Sequence, residues 1–163
     1  MALTVNKSFY KGVFVAFLIL VLDQLTKAWI LSHFQKKGKI ISLTPFFDLV
    51  LVWNRGVSFG FLNSLSFDAS YLLTGFAVII SLLLGIWLWR NKSPLLCYGL
   101  GLILGGALGN ALDRLRYSAV VDFLYFHVGK YSFPSFNIAD SAITIGVMLI
   151  LLEGFLNPKG AHR

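Results

Sequence analysis

Four long apolar runs, at about 12–31, 71–89, 95–112 and 139–156, limit what this chain can fold into. A helix needs roughly 20 mainly apolar residues to cross a bilayer. Each run approaches that length, and the last two are slightly short, which local bilayer thinning accommodates. Aromatic residues stand where an interfacial belt is expected: Tyr10 and Trp29, Tyr71 with Trp87 and Trp89, Tyr98 and Tyr117. Composition agrees. The chain is 57% hydrophobic and 13% charged, against about 25% charged in soluble proteins. Its 163 residues suit one domain, 1–163.

The net charge of +7 does not point to nucleic acid, because the basic residues form no single patch. Lys7, Lys11, Arg90, Lys92, Lys159 and Arg163 flank the apolar runs, a distribution suited to anionic membrane lipid. Those residues lie in short segments on one side of a four-span topology, whereas the opposing basic residues are spread over two long connections. Because the positive-inside bias acts mainly through short loops, both termini are placed in the cytoplasm. Cys97 is the sole cysteine, so no internal disulfide is possible, and its apolar setting reads as packing. The first run resembles a signal peptide with Lys7 and Lys11 ahead of it. No small-residue cleavage site follows, however, and the run continues past Asp23 to Leu31, as a retained spanning helix would.

Between the first two runs, Ile40–Leu43 and Phe46–Trp53 are β-branched and aromatic, divided by Thr44-Pro45 and ended by Asn54-Arg55-Gly56. This is strand-and-turn punctuation, and it predicts a small sheet resting on the membrane surface. The following residues 56–62 suit the interface. Spacing alone reads Asn54 as a turn residue. The second run is uncharged and ends at Trp87-Leu88-Trp89-Arg90, a lipid-facing anchor. In the third, Gly101, Gly105 and Gly109 recur every four residues, which lets helix backbones approach closely in a bilayer. That helix delivers Asn110, Asp113 and Arg114 onto one face, and Asp113 near its C-terminus needs a cationic partner. In the first run Asp23 and Lys27 are spaced to pair. Either Lys27 snorkels to the interface, or Asp23 faces the interior and orients polar groups there.

Two further acids lie in apolar sequence, Val120-Val121-Asp122-Phe123 and Phe136-Asn137-Ile138-Ala139-Asp140. An ionisable group at a membrane boundary is costly and is read by default as functional. Asp140 alone suits a helix cap, but nothing in a strand-like segment requires Asp122. Two carboxylates held close share one proton; the ionised member activates water and the protonated member donates to a scissile carbonyl. Such chemistry hydrolyses an amide without metal, cofactor or covalent intermediate. His33, His127 and His162 show no zinc spacing, and no Gly-x-Ser-x-Gly elbow occurs. A proton-coupled transporter also uses buried carboxylates, but the chain has no repeated broken helices. A structural subunit would tolerate loss of both acids.

Together, Asp23-Gln24-Leu25-Thr26-Lys27, Asn54-Arg55-Gly56, Gly105 to Arg114, Val121-Asp122-Phe123 and Phe136 to Asp140 resemble the ordered motifs of bacterial lipoprotein signal peptidase, or signal peptidase II. Ser58 is one small departure, where the family often has alanine. The resemblance implies an all-α bundle of four transmembrane helices with a small extracytoplasmic β-sheet, in the inner membrane. It implies an aspartyl endopeptidase that removes signal peptides from diacylglyceryl-modified prolipoproteins by cutting before the lipidated cysteine. By motif match Asp122 and Asp140 correspond to the catalytic pair. Asp23, Asn54, Asn110, Arg114 and Asn137 correspond to residues that support the site or substrate. Inhibition by globomycin-type cyclic peptides is a further implication.

Overall fold

The computed structural model describes residues 6–34, 40–56 and 69–157. In order they form α1 (Lys7–Phe34), β1 (Ile41–Thr44), β2 (Phe47–Asn54), α2 (Ala69–Arg90), α3 (Pro94–Tyr117), β3 (Val120–Val128), β4 (Tyr131–Ser132) and α4 (Ile138–Leu156). All four helices are long and apolar enough to cross a membrane. The interface reading of residues 57–62, Ser58 and the basic residues of the C-terminal tail lie outside the described residues.

The core is α3. Just over half of its apolar window (56%) is buried, against 17–22% for the other helices, so α1, α2 and α4 pack around it and turn apolar faces outward. Phe14, Phe17, Phe76, Leu82, Met148 and Phe155 are among the large side chains so exposed. Glycine permits the close crossings. A Cβ on Gly105 would lie 2.5 Å from the Ala16 carbonyl oxygen of α1, and one on Gly106 2.5 Å from the Ala139 carbonyl oxygen of α4. Gly101 abuts the Gly12 backbone, and Gly99 and Gly146 face each other's carbonyls. Helix α3 starts with Ser93 as cap and Pro94 in its first turn, and ends at Ser118 in the left-handed region. It passes residue 112, so Asn110, Asp113 and Arg114 are all held on helix.

The strands form one antiparallel sheet in sequence order, β1-β2-β3-β4. The first two strands lie one residue later than the sequence suggested, and β4 was not foreseen, because two residues carry no periodicity to read. Buried Val121 and Phe123 pack against Ile30 and Phe34, which fastens the start of β3 to the end of α1. After the turn at Gly129, whose φ of +58° favours glycine, the chain returns along β3. The Phe136 carbonyl accepts from the Phe123 and Leu124 amides, and the Phe136 amide donates to Leu124. That return sets the first residue of the α4 cap beside Asp122.

Candidate active site

Asp122 pairs with Val52 across the β2–β3 ladder, and Asn54 lies two residues further along β2 on the same face. The Asn54 Nδ2 therefore reaches Asp122 Oδ2, donating at 2.9 Å, while its Oδ1 accepts from the Gly56 amide at 2.8 Å. Asn54 holds the turn and Asp122 at once. Asn137 is the N-cap of α4 and forms a capping box with Asp140 at the third helical position. Its Oδ1 accepts from the Asp140 amide at 2.9 Å, and the Asp140 Oδ2 accepts from the Asn137 amide at 3.2 Å. With its oxygen so engaged, Asn137 turns its Nδ2 to Asp122 Oδ1 at 2.8 Å. Asn110 on α3 donates to Asp140 Oδ1, also at 2.8 Å. All four oxygens of the two aspartates thus accept from an asparagine, and Asn137 bridges the pair.

Asp122 is 1% exposed. Burial pushes its carboxyl up to about 6, and the neighbouring Asp140 charge pushes the same way, while the Asn54 and Asn137 amides and the Lys27 charge pull it back. An acid placed there keeps its proton to a higher pH than a free carboxyl does.

Behind the pair lies an ionic brace. Lys27 is 2% exposed, so it does not snorkel. Its Nζ lies 2.8 Å from Asp23 Oδ2 and 2.8 Å from Asp113 Oδ2, and donates to Asn110 Oδ1 at 3.0 Å. Asp23 Oδ1 accepts from the Ala139 amide in the first turn of α4 at 3.0 Å, and Asp113 Oδ2 from the Val121 amide of β3 at 3.1 Å. Gln24 donates to Asp113 Oδ1 at 3.0 Å. Removing one partner of a buried ion pair costs about 3–5 kcal/mol, so this cluster tolerates no single deletion cheaply.

Comparison with known proteins bears directly on this site. The family model described as "Signal peptidase (SPase) II" matches residues 15–156. The chain belongs to the signal peptidase II family. The lipoprotein signal peptidase of Azoarcus sp. (strain BH72) is 51% identical over 82% of this chain and 76% of its own length. That of Beijerinckia indica is 43% identical over 91% of this chain and 89% of its own, and that of Yersinia enterocolitica 41% over 91% and 88%. Among solved structures, a bacterial membrane enzyme obtained by the in meso method at 1.9 Å superposes with a TM-score of 0.77 at 28% identity, covering 93% of this chain and 96% of that one. The chain is therefore a multi-pass membrane peptidase of the signal peptidase II family.

In this signal peptidase II chain the structure brings together every site residue expected from sequence. Asp122, Asp140, Asn54, Asn110 and Asn137 form one hydrogen-bonded set, and Asp23 joins it through Lys27. Arg114 interacts electrostatically with Asp140, Asp113 and Asp122. Its Nη1 donates to the Asn110 carbonyl at 3.5 Å, and its buried Nε has no partner among the described residues. His127 stands apart, 3.0 Å from Asp48 in the sheet. Sequence reasoning paired Lys27 with Asp23 and asked a cation of Asp113, but did not see that one lysine serves both. The signal was present: an acid near the C-terminal end of a helix, and a lysine inside an apolar run.

The Asn54 contact makes a testable prediction. Asn54→Leu keeps the site buried but removes a donor that favours the charged carboxylate. The Asp122 pKa is expected to rise above about 6. Infrared titration of the protonated carboxyl band checks this, and a fall in pKa contradicts it.

Proposed function

We propose that this chain is an aspartic endopeptidase that removes signal peptides from diacylglyceryl-modified prolipoproteins, cutting before the lipidated cysteine. The observation that carries the reading is the asparagine-held pair: two carboxylates, coupled through Asn137, with all four oxygens oriented. Asp140 acts as the base and removes a proton from water, whose oxygen attacks the scissile carbonyl. Asp122, whose raised pKa makes it more readily protonated than a free carboxyl, donates a proton to the carbonyl oxygen. The tetrahedral diol then collapses. Asp140 returns its proton to the departing nitrogen of the cysteine, the C–N bond breaks, and Asp122 recovers a proton from the diol. Arg114, with an unspent donor, binds backbone or ester oxygens of the substrate.

The setting suits a substrate that stays in the bilayer. Outward apolar faces on three helices accept acyl chains, while the sheet presents exposed Ile41, Leu43, Val52 and Trp53 at the site end. The site faces the extracytoplasmic side of the inner membrane, with both termini in the cytoplasm.

The test uses purified protein in detergent with a synthetic prolipoprotein carrying diacylglyceryl cysteine. Cleavage immediately before that cysteine is expected, with block by a globomycin-type cyclic peptide. Equal cleavage of the unlipidated peptide, or none of either, rejects the reading.

A further inference from the structure

We propose that Lys27 is a positioning residue for the aspartate pair, its ammonium fixing the Asn110 amide in the orientation that donates to Asp140. The proposal rests on the peptidase reading and deepens it. An ammonium has three donors and no acceptor. Those of Lys27 meet Asp23 Oδ2, Asp113 Oδ2 and Asn110 Oδ1 at 2.8, 2.8 and 3.0 Å. Asn110 must therefore turn its oxygen to Lys27, which leaves its Nδ2 for Asp140 Oδ1 at 2.8 Å. The opposite orientation sets an NH2 group against an ammonium and an amide oxygen against a carboxylate. Both contacts repel.

The same Asn110 oxygen accepts from Asn137 Nδ2 at 3.3 Å, so the orientation passes on to the amide that serves Asp122. The ammonium has no hydrogen bond or ion pair with either member of the pair and acts through its neighbours. Through Asp23 and Asp113 it also holds the Ala139 and Val121 amides, on the two elements that carry Asp140 and Asp122. One buried cation sets both the amide orientation and the approach of its two aspartates.

A plain structural brace makes a different prediction from a positioning residue. Lys27→Met alone strands two buried carboxylates and threatens the fold, so the deciding variant is Lys27→Met with Asp113→Asn, which keeps the cluster's net charge. It is compared with Asp113→Asn alone, per folded molecule, on the lipidated substrate. Expected is a kcat lower by about a hundredfold with KM within about threefold. Asp122 faces the charges of Asp140, Arg114 and Lys27, so loss of the cation also shifts the pH dependence of kcat upward. Lys27→Arg, keeping charge and donors, is expected to retain a kcat above that of the double variant. Equal kcat and pH profile in the double variant and Asp113→Asn overturns the proposal, as does a loss confined to KM. Lys27→Arg as slow as the double variant, or as Lys27→Met where the double variant does not fold, overturns it too. Failure of the wild type to cleave rejects the peptidase reading instead.

Discussion

Asp122→Asn and Asp140→Asn proteins are each expected to insert and fold, yet to cleave lipidated prolipoprotein about a thousandfold more slowly. Neither amide can cycle a proton, and both substitutions leave the surrounding asparagines in place. The two variants differ in stability, which separates chemistry from folding. Asp122 protonates near 6 in the folded protein against 3.8 for a free side chain. Between those values the folded state binds the proton and the unfolded state does not, so wild-type stability falls as pH rises from about 4 to about 6. The span is about 3 kcal/mol, and the cost is fully present above the folded pKa. Thermal unfolding in detergent across that window is expected to show this decline in wild type. Asp122→Asn is expected to lack it, and Asp140→Asn to show less of it, because the Asp140 charge is one of the pushes on Asp122. A wild-type midpoint that rises through the same window contradicts the assignment.

The second large effect is steric. Gly106→Ala places a methyl group 2.5 Å from the Ala139 carbonyl oxygen, and that backbone cannot rotate aside. Helix α4 must shift at its first turn, where the Ala139 amide donates to Asp23 and Asp140 follows directly. Overpacking of this kind costs about 1–3 kcal/mol, and displacement of the turn that carries Asp140 is expected to lower kcat about a hundredfold. Gly75→Ala is the control. Nothing lies within 4 Å of its Cβ position, so exchanging glycine for a better helix former is expected to stabilise by about 0.5–1 kcal/mol without loss of activity. Equal effects at the two positions contradict the packing argument. The measurements are the unfolding midpoint and the cleavage rate.

Much of this molecule was legible in its sequence because a bilayer leaves few options. Long apolar stretches must be helices, their belts of Trp and Tyr mark the ends, and a four-residue glycine repeat marks the helix that others press against. Acids in apolar sequence announced a site, and Lys27 beside Asp23 announced an ion pair. The family motifs gathered the residues that the structure sets around Asp122 and Asp140 more completely than spacing did. Residue by residue, spacing left Asn54 as a turn and left Lys27 undecided between water and interior.

Tertiary structure decided the rest, for a reason particular to short strands. The meeting of Asn54 with Asp122 depends on ladder register, and a slip of one residue would turn Asn54 to the other face. Asn137 reaches Asp122 only because the chain doubles back along β3 before α4 begins. Lys27 serves Asp23, Asp113 and Asn110 only because α1 crosses α3 closely enough at glycine. Hydrophobic patterning is a local property and can be read along the chain; a network of donors and acceptors drawn from five elements is not, since each partner is chosen by position in space.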